Sequence, residues 1–123
     1  MALHHATSGE IVTLEPLGPG LREAGTRALV KTDQFEAIRL ILKSGDELPA
    51  HAVSGQFTLH CLEGRVGVEL AGTSLDLAAN QWVYFDGGIP HGLRAIEDSS
   101  LLLTILLPAV GASLAAEAYP PHP

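Results

Sequence analysis

The feature that most constrains the fold is a series of short apolar runs separated, roughly every ten residues, by Gly, Asp, Asn or Pro. The separators include Gly45, Gly64 and Gly72, which accept the positive φ angles of tight turns. This spacing is typical of an all-β sandwich or barrel. We expect strands at residues 11–14, 25–31, 35–42, 57–62, 65–70, 73–77, 82–85, 91–95 and 99–107.

Alternation within these runs predicts which side chains face inward. In the run 57–62, period-two alternation sends Phe57, Leu59 and Cys61 to one face of the strand. The last run, 99–107, is apolar on both faces from residue 101 onward, where only Thr104 interrupts the second face. A strand of a small sandwich buries one face in the core, so the other needs a cover. We expect a second copy of the chain to supply it, which predicts a homodimer.

The length of 123 residues fits one domain. We expect an N-terminal tail at residues 1–9, a single β-barrel domain at residues 10–110, and a short helix with a Pro-rich tail at residues 111–123. The C-terminal helix is too short to be stable by itself.

The net charge and the cysteine content limit the classes of partner and the cellular compartment that we expect for this chain. The chain carries 14 acidic and 7 Lys or Arg residues, a net charge of −7, which opposes binding to nucleic acid or anionic lipid. The aliphatic run at residues 101–107 is too short to span a bilayer, and residues 1–10 do not resemble a signal peptide. The single cysteine, Cys61, cannot form an internal disulfide. We therefore expect a cytoplasmic protein that binds a small molecule, with no nucleic acid or membrane partner.

Two spaced motifs resemble the signature of the cupin superfamily. Gly45, His51 and Gly64 fall on the first Gly, the first His and the last Gly of the first cupin motif. Gly88 and His91 match the Gly and His of the second. The resemblance covers about residues 35–107 and implies a double-stranded β-helix, a small jelly-roll barrel.

The first motif departs from the cupin pattern where the metal ligands would stand. Val53 occupies the position of the second His, and Phe57 or Thr58, depending on the spacing, occupies that of the Glu. A cupin metal site of the usual pattern would use three His and one carboxylate or amide. This chain keeps only His51 and His91.

The second motif departs in ways that preserve its shape. Asn80 replaces a Gly and tolerates a left-handed backbone, while Asp86 replaces a Pro and suits a turn. Ala95 replaces the Asn of the motif.

The resemblance places Phe57 inside the barrel, and strand parity then predicts a pocket of two imidazoles within apolar walls. Such a pocket fits a small, partly apolar ligand oriented by a few polar groups. The predicted ligand-binding residues are His51, Val53, Phe57, Leu59, Cys61, His91 and Leu93.

A metal would need another ligand. The amide oxygen of Gln56 could join His51 and His91 if a small bulge turned it inward. Two neutral imidazoles without an anionic partner hold divalent metals poorly, so we expect no cofactor. If one binds, it is a divalent transition metal: Fe, Mn, Ni or Zn.

Three functions remain open at this point. The leading one is a metal-poor, cupin-like protein that binds a small molecule as a sensor or carrier. A second is a metal-free isomerase, epimerase or lyase with His51 or His91 as general base. A third is a metal-dependent dioxygenase or isomerase that uses His51, His91 and Gln56. The two histidines could also be inert remnants of a lost metal site.

Overall fold

The computed structural model describes residues 4–107, and nearly all regular structure in that range is β-strand. A 3-10 helix at Gly18–Glu23 precedes nine strands. The strands are β1 Arg27–Lys31, β2 Phe35–Leu42, β3 Glu47–His51, β4 Phe57–Glu63, β5 Arg65–Leu70, β6 Thr73–Ala78, β7 Trp82–Phe85, β8 His91–Ala95 and β9 Ser99–Leu106. The predicted C-terminal helix and tail lie outside the described residues.

The strands form two antiparallel sheets that face each other. One sheet has five strands in the order β1-β2-β9-β4-β7, and the other has four in the order β3-β8-β5-β6. The residues that alternate inward from both sheets form the hydrophobic core. In β4, Phe57, Leu59 and Cys61 are buried while Thr58 and His60 are only half-buried, which confirms the predicted parity. The all-β expectation is therefore confirmed.

One predicted strand is wrong and one real strand was not predicted. Residues 11–14 contain no strand, and the Ile11 side chain is 90% exposed. Conversely, Glu47–His51 forms β3, an edge strand paired with β8. Its sequence lacks a clear apolar alternation and contains Pro49, which an edge strand tolerates because one side of the strand makes no ladder hydrogen bonds.

Two turn residues support the motif analysis. Asn80 has a φ of 69°, so it adopts the left-handed conformation predicted for it. Gly64 has a φ of 89°, and a Cβ atom there would lie 2.3 Å from the Asp98 carbonyl oxygen. Only glycine satisfies both constraints at this turn.

β9 lies at the centre of the five-stranded sheet, between β2 and β4. Its outward side chains include Leu102, Thr104 and Leu106, of which Leu106 is exposed and the other two are half-buried. Trp82 and Tyr84 of β7 are also exposed large side chains of this sheet. The predicted homodimer would cover this outer face.

The N-terminal segment contacts the barrel. The Ala6 amide donates a hydrogen bond of 2.7 Å to the Leu29 carbonyl oxygen. Further along, the Leu17 and Gly18 amides both donate to the Glu63 carboxylate. Within residues 4–107, no helix has the length and apolar character that a membrane crossing requires.

Candidate ligand site inside the barrel

His51 and His91 are direct cross-strand partners in β3 and β8. Their ring centroids lie 4.7 Å apart, with a tilt of 51° between the ring planes. β3 is the edge strand of its sheet, so His51 is half-buried, whereas His91 is 1% exposed. The structure therefore brings together the two histidines that the motifs singled out.

Both imidazoles are held by the same kind of hydrogen bond. His51 Nδ1 lies 2.9 Å from the Pro49 carbonyl oxygen, and His91 Nδ1 lies 3.1 Å from the Ile89 carbonyl oxygen. A carbonyl oxygen can only accept, so Nδ1 carries the proton in each ring and donates it. In the neutral form, Nε2 of each ring is then the acceptor.

Burial sets the protonation state of the inner histidine. It lowers the pKa of His91 below its usual value, and the nearby His51 lowers it further, while the hydrogen bond to Ile89 opposes the shift. His91 is therefore neutral at pH 7. In this state its Nε2 is a hydrogen-bond acceptor.

Two aromatic rings pack against His91 from the opposite sheet. Phe57 and Phe85 are register partners in β4 and β7, with ring centroids 5.1 Å apart. The His91 ring lies 4.4 Å from Phe57 and 6.3 Å from Phe85, nearly parallel to the latter. Phe57, one of the two residues that could match the cupin Glu, thus supplies an apolar contact to His91.

The other predicted apolar wall residues are buried in the core cluster of the barrel. They are Val53, Leu59, Cys61 and Leu93. Cys61 is fully buried, its thiol faces the carbonyl oxygens of Glu63 and Gly64, and burial raises the pKa of the thiol to about 11. The thiol is protonated at neutral pH and does not act as a nucleophile.

Gln56 does not join the histidine pair. Its Nε2 donates a hydrogen bond of 3.1 Å to Tyr84 Oη, and the Tyr84 hydroxyl in turn donates to Asp86. Gln56 also lines a groove of about 170 Å³ with Thr58 and Thr104, which lie on the outer face of the five-stranded sheet. The proposed inward bulge at Gln56 is absent, because its amide is engaged on the outside.

A buried carboxyl group inside the barrel was not predicted. Glu36 of β2 is 0% exposed and shares the inward parity of Ile38 and Leu40. In register, Glu36 pairs with Ile105, and Ile105 pairs with Phe57. Glu36 therefore lies in the same transverse row of inward residues as Phe57, which contacts His91. The sequence contained a sign of this burial, because Glu36 alternates with the apolar residues Ile38 and Leu40 on the same face of its run.

The donor set does not fit the metal site of the cupin pattern. Among residues 4–107, no group of three His, Cys, Asp or Glu side chains is arranged to hold a metal ion. Val53 and Phe57 place hydrocarbon where the resemblance would require ligands, and Gln56 is turned away. Two imidazoles alone do not make a site of the usual coordination number, so we derive no chemistry through a metal.

Solved structures identify the fold. A conserved protein of unknown function from Streptococcus pyogenes superposes with a TM-score of 0.69 at 23% identity, covering 88% of this chain and 98% of that one. A cupin superfamily protein from Desulfitobacterium hafniense gives a TM-score of 0.65 at 14% identity, covering 68% and 76%. An RmlC-like cupin from Desulfovibrio desulfuricans gives 0.62 at 21% identity, covering 85% and 97%.

The fold is that of the cupin superfamily. The two sheets are therefore the two halves of a cupin barrel, as the motif resemblance implied. No known family's sequence profile and no curated protein matches this chain.

Proposed function

We propose that this cupin-fold protein binds a small organic molecule inside the barrel, through the Nε2 atoms of His51 and His91 and without a bound metal. The observation that carries the proposal is the matched pair of imidazoles, each fixed by an Nδ1 hydrogen bond to a backbone carbonyl and separated by 4.7 Å. These hydrogen bonds fix the orientation of each ring before a ligand binds. Ligand binding therefore loses little free energy to the ordering of the two side chains.

The chemistry of the pair indicates the class of ligand. A neutral imidazole with its proton on Nδ1 accepts at Nε2, so the ligand carries a hydroxyl or N–H donor. Phe57 and Phe85 stack beside His91 and favour a flat or apolar portion in the same molecule. We infer a small, partly apolar compound with at least one hydrogen-bond donor.

Binding is tested by a thermal-shift screen of small hydroxylated and N–H-bearing compounds, with hits titrated calorimetrically. His51→Ala tests the anchor, and His60→Ala is the matched control, because His60 alternates to the outer side of β4. We expect His51→Ala to weaken binding of a hit by about 1 to 3 kcal/mol and His60→Ala to leave it unchanged. Equal affinity for all three proteins would contradict the proposal.

A second candidate function is metal-independent acid-base catalysis. Two features support it: burial lowers the pKa of His91, which favours the neutral imidazole that a general base requires, and the buried Glu36 adds a carboxyl group inside the barrel. His91 would remove a proton from a carbon of the substrate in an isomerase, epimerase or lyase step.

Hydrogen exchange separates catalysis from simple binding. A hit from the screen is incubated with the protein in deuterium oxide and followed by proton NMR. A catalyst would exchange a carbon-bound hydrogen of the compound, and His91→Gln would lower the exchange rate by about 100-fold or more. A compound that binds but shows no exchange would favour a carrier or sensor.

A further inference from the structure

A cavity of about 380 Å³ lies on the outside of the barrel, between the N-terminal segment and the strands β1 and β2. Ile41 and Arg39 belong to its lining, and they alternate with Ile38 and Leu40, which face the barrel core. The cavity therefore lies on the opposite side of the sheet from the histidine pair. Its volume is in the range of small-molecule sites.

Two arginines meet at this cavity. Arg27 and Arg39 are direct register partners in β1 and β2, and both line it. Like charges directly opposite each other on neighbouring strands repel and are destabilising. Arg39 is only 8% exposed, so its guanidinium is largely removed from water. Glu63, which lies 3.4 Å from Arg39 Nη2, offsets part of these costs, and a bound anion would offset more of them.

The hydrogen bonds of Arg39 leave one side of its guanidinium for a ligand. Nε donates to Ser100 Oγ at 2.8 Å, and Nη2 donates to the Glu15 carbonyl oxygen at 2.8 Å. Glu63 lies 3.4 Å from Nη2, but its carboxylate also accepts the Leu17 and Gly18 amides. Within residues 4–107, Arg39 Nη1 has no hydrogen-bond partner, and Arg27 forms no ion pair.

The apolar side chains of the lining define the rest of the ligand. Leu14, Leu17 and Ile41 provide hydrocarbon beside the arginines. Glu15 also lines the cavity, so two arginines face one lining carboxylate, with Glu63 already engaged by Arg39 and two amides. This combination suits an anionic group attached to an apolar body.

We propose that this cavity binds a small organic carboxylate, with its carboxylate on Arg27 and Arg39 and its apolar part against Leu14, Leu17 and Ile41. The Arg27 guanidinium can meet a carboxylate in a planar, two-pronged hydrogen-bond geometry, while Arg39 contributes Nη1 because its Nε and Nη2 are already engaged. Because residues 13–17 form one wall of the cavity, the bound carboxylate would also fasten the N-terminal segment to the sheet.

The probe for the test is sodium benzoate, titrated into isotopically labelled protein and followed by amide NMR. We expect saturable shifts at residues 13–17 and none at His51 or His91. Arg27→Gln should raise the benzoate Kd about tenfold or more. Arg94→Gln is the matched control, because Arg94 is an exposed arginine of the other sheet, and it should change the Kd by less than about twofold.

Arg27 is the better target because Arg39 also holds the N-terminal segment, and the spectrum of each variant reports whether it folds. Inorganic phosphate, an anion without an apolar part, should bind at least about tenfold more weakly than benzoate. The proposal is overturned if benzoate leaves residues 13–17 unshifted, if both arginine variants lose affinity equally, or if phosphate binds as tightly as benzoate.

Discussion

His51 and His91 face each other across β3 and β8 with ring centroids 4.7 Å apart, and each donates from Nδ1 to the carbonyl oxygen two residues earlier. Because both rings carry their proton on Nδ1, the Nε2 atom of each neutral ring is a hydrogen-bond acceptor. The barrel thus holds an oriented imidazole pair, and hydrocarbon side chains lie where the motif resemblance would place other metal ligands.

The buried imidazole predicts a pH dependence of stability. Burial lowers the pKa of His91 below its usual value of 6.5, so just below that pH the unfolded chain binds more protons than the folded one. The free energy of unfolding therefore falls as the pH decreases through this window. Among residues 4–107, His51 is the titratable group whose charge acts on His91, and it remains in both proteins compared. Urea unfolding at a series of pH values should give a shallower dependence for His91→Gln than for the wild type. Parallel curves would contradict the assignment.

Gly64 is predicted to be the turn residue least tolerant of a side chain. Gly64→Ala combines a φ of 89° with a Cβ placed 2.3 Å from the Asp98 carbonyl oxygen. We expect it to lower the free energy of unfolding by about 3 kcal/mol or more. The control is Gly72→Ala, where φ is 78° and nothing lies within 4 Å of the added Cβ; about 1 kcal/mol is expected there. The free energies of unfolding are measured with denaturant. Equal losses for Gly64→Ala and Gly72→Ala would show that the backbone near Asp98 moves away from the added Cβ without loss of stability.

Cys61 should be chemically silent in the folded protein. Its side chain is fully buried, and burial raises the pKa of the thiol to about 11, which leaves little thiolate at neutral pH. A chromogenic disulfide reagent should react with one thiol per chain in urea and only through unfolding under native conditions. Rapid stoichiometric reaction of the native protein would show that the inward face of β4 is open to solvent.

The outer face of the five-stranded sheet is predicted to form a homodimer interface. Leu106, Trp82 and Tyr84 are exposed there, beside the half-buried Leu102. Light scattering at micromolar concentration should give twice the chain mass of 12.9 kDa. Leu106→Lys should shift the mass toward the monomer, whereas Leu75→Lys, which alters an exposed leucine of the other sheet, should not. A monomeric mass for the wild type would contradict the predicted homodimer.

Most of the barrel was predictable because it depends on local patterns. Alternation in β4 gave its inward residues, and the left-handed conformation of Asn80 followed from its match to a motif glycine. β3 was missed because an exposed edge strand needs little hydrophobic alternation, and its pairing with β8 is a long-range contact. The opposite error occurred at residues 11–14. Their apolar residues predicted a strand, but this segment pairs with no other strand.

The site was only partly predictable. The motif spacing identified His51 and His91, but not that they would be register partners with matched tautomers. Gln56 was placed by sequence proximity alone, whereas its direction depends on Tyr84, 28 residues away along the chain. The sequence places Glu36 on the apolar face of β2, where an acidic residue is unusual. Only the packing of the two sheets shows that it is buried inside the barrel.

The most direct test of a metal-free histidine site is elemental analysis of untagged protein purified without chelators or a metal column. His4→Ala together with His5→Ala serves as a control, because these N-terminal histidines could bind stray metal. We expect Fe, Mn, Ni and Zn well below one equivalent per chain in the wild type and in this control. Close to one equivalent of any of these metals, lost in His51→Ala or His91→Gln but retained in the control, would contradict it.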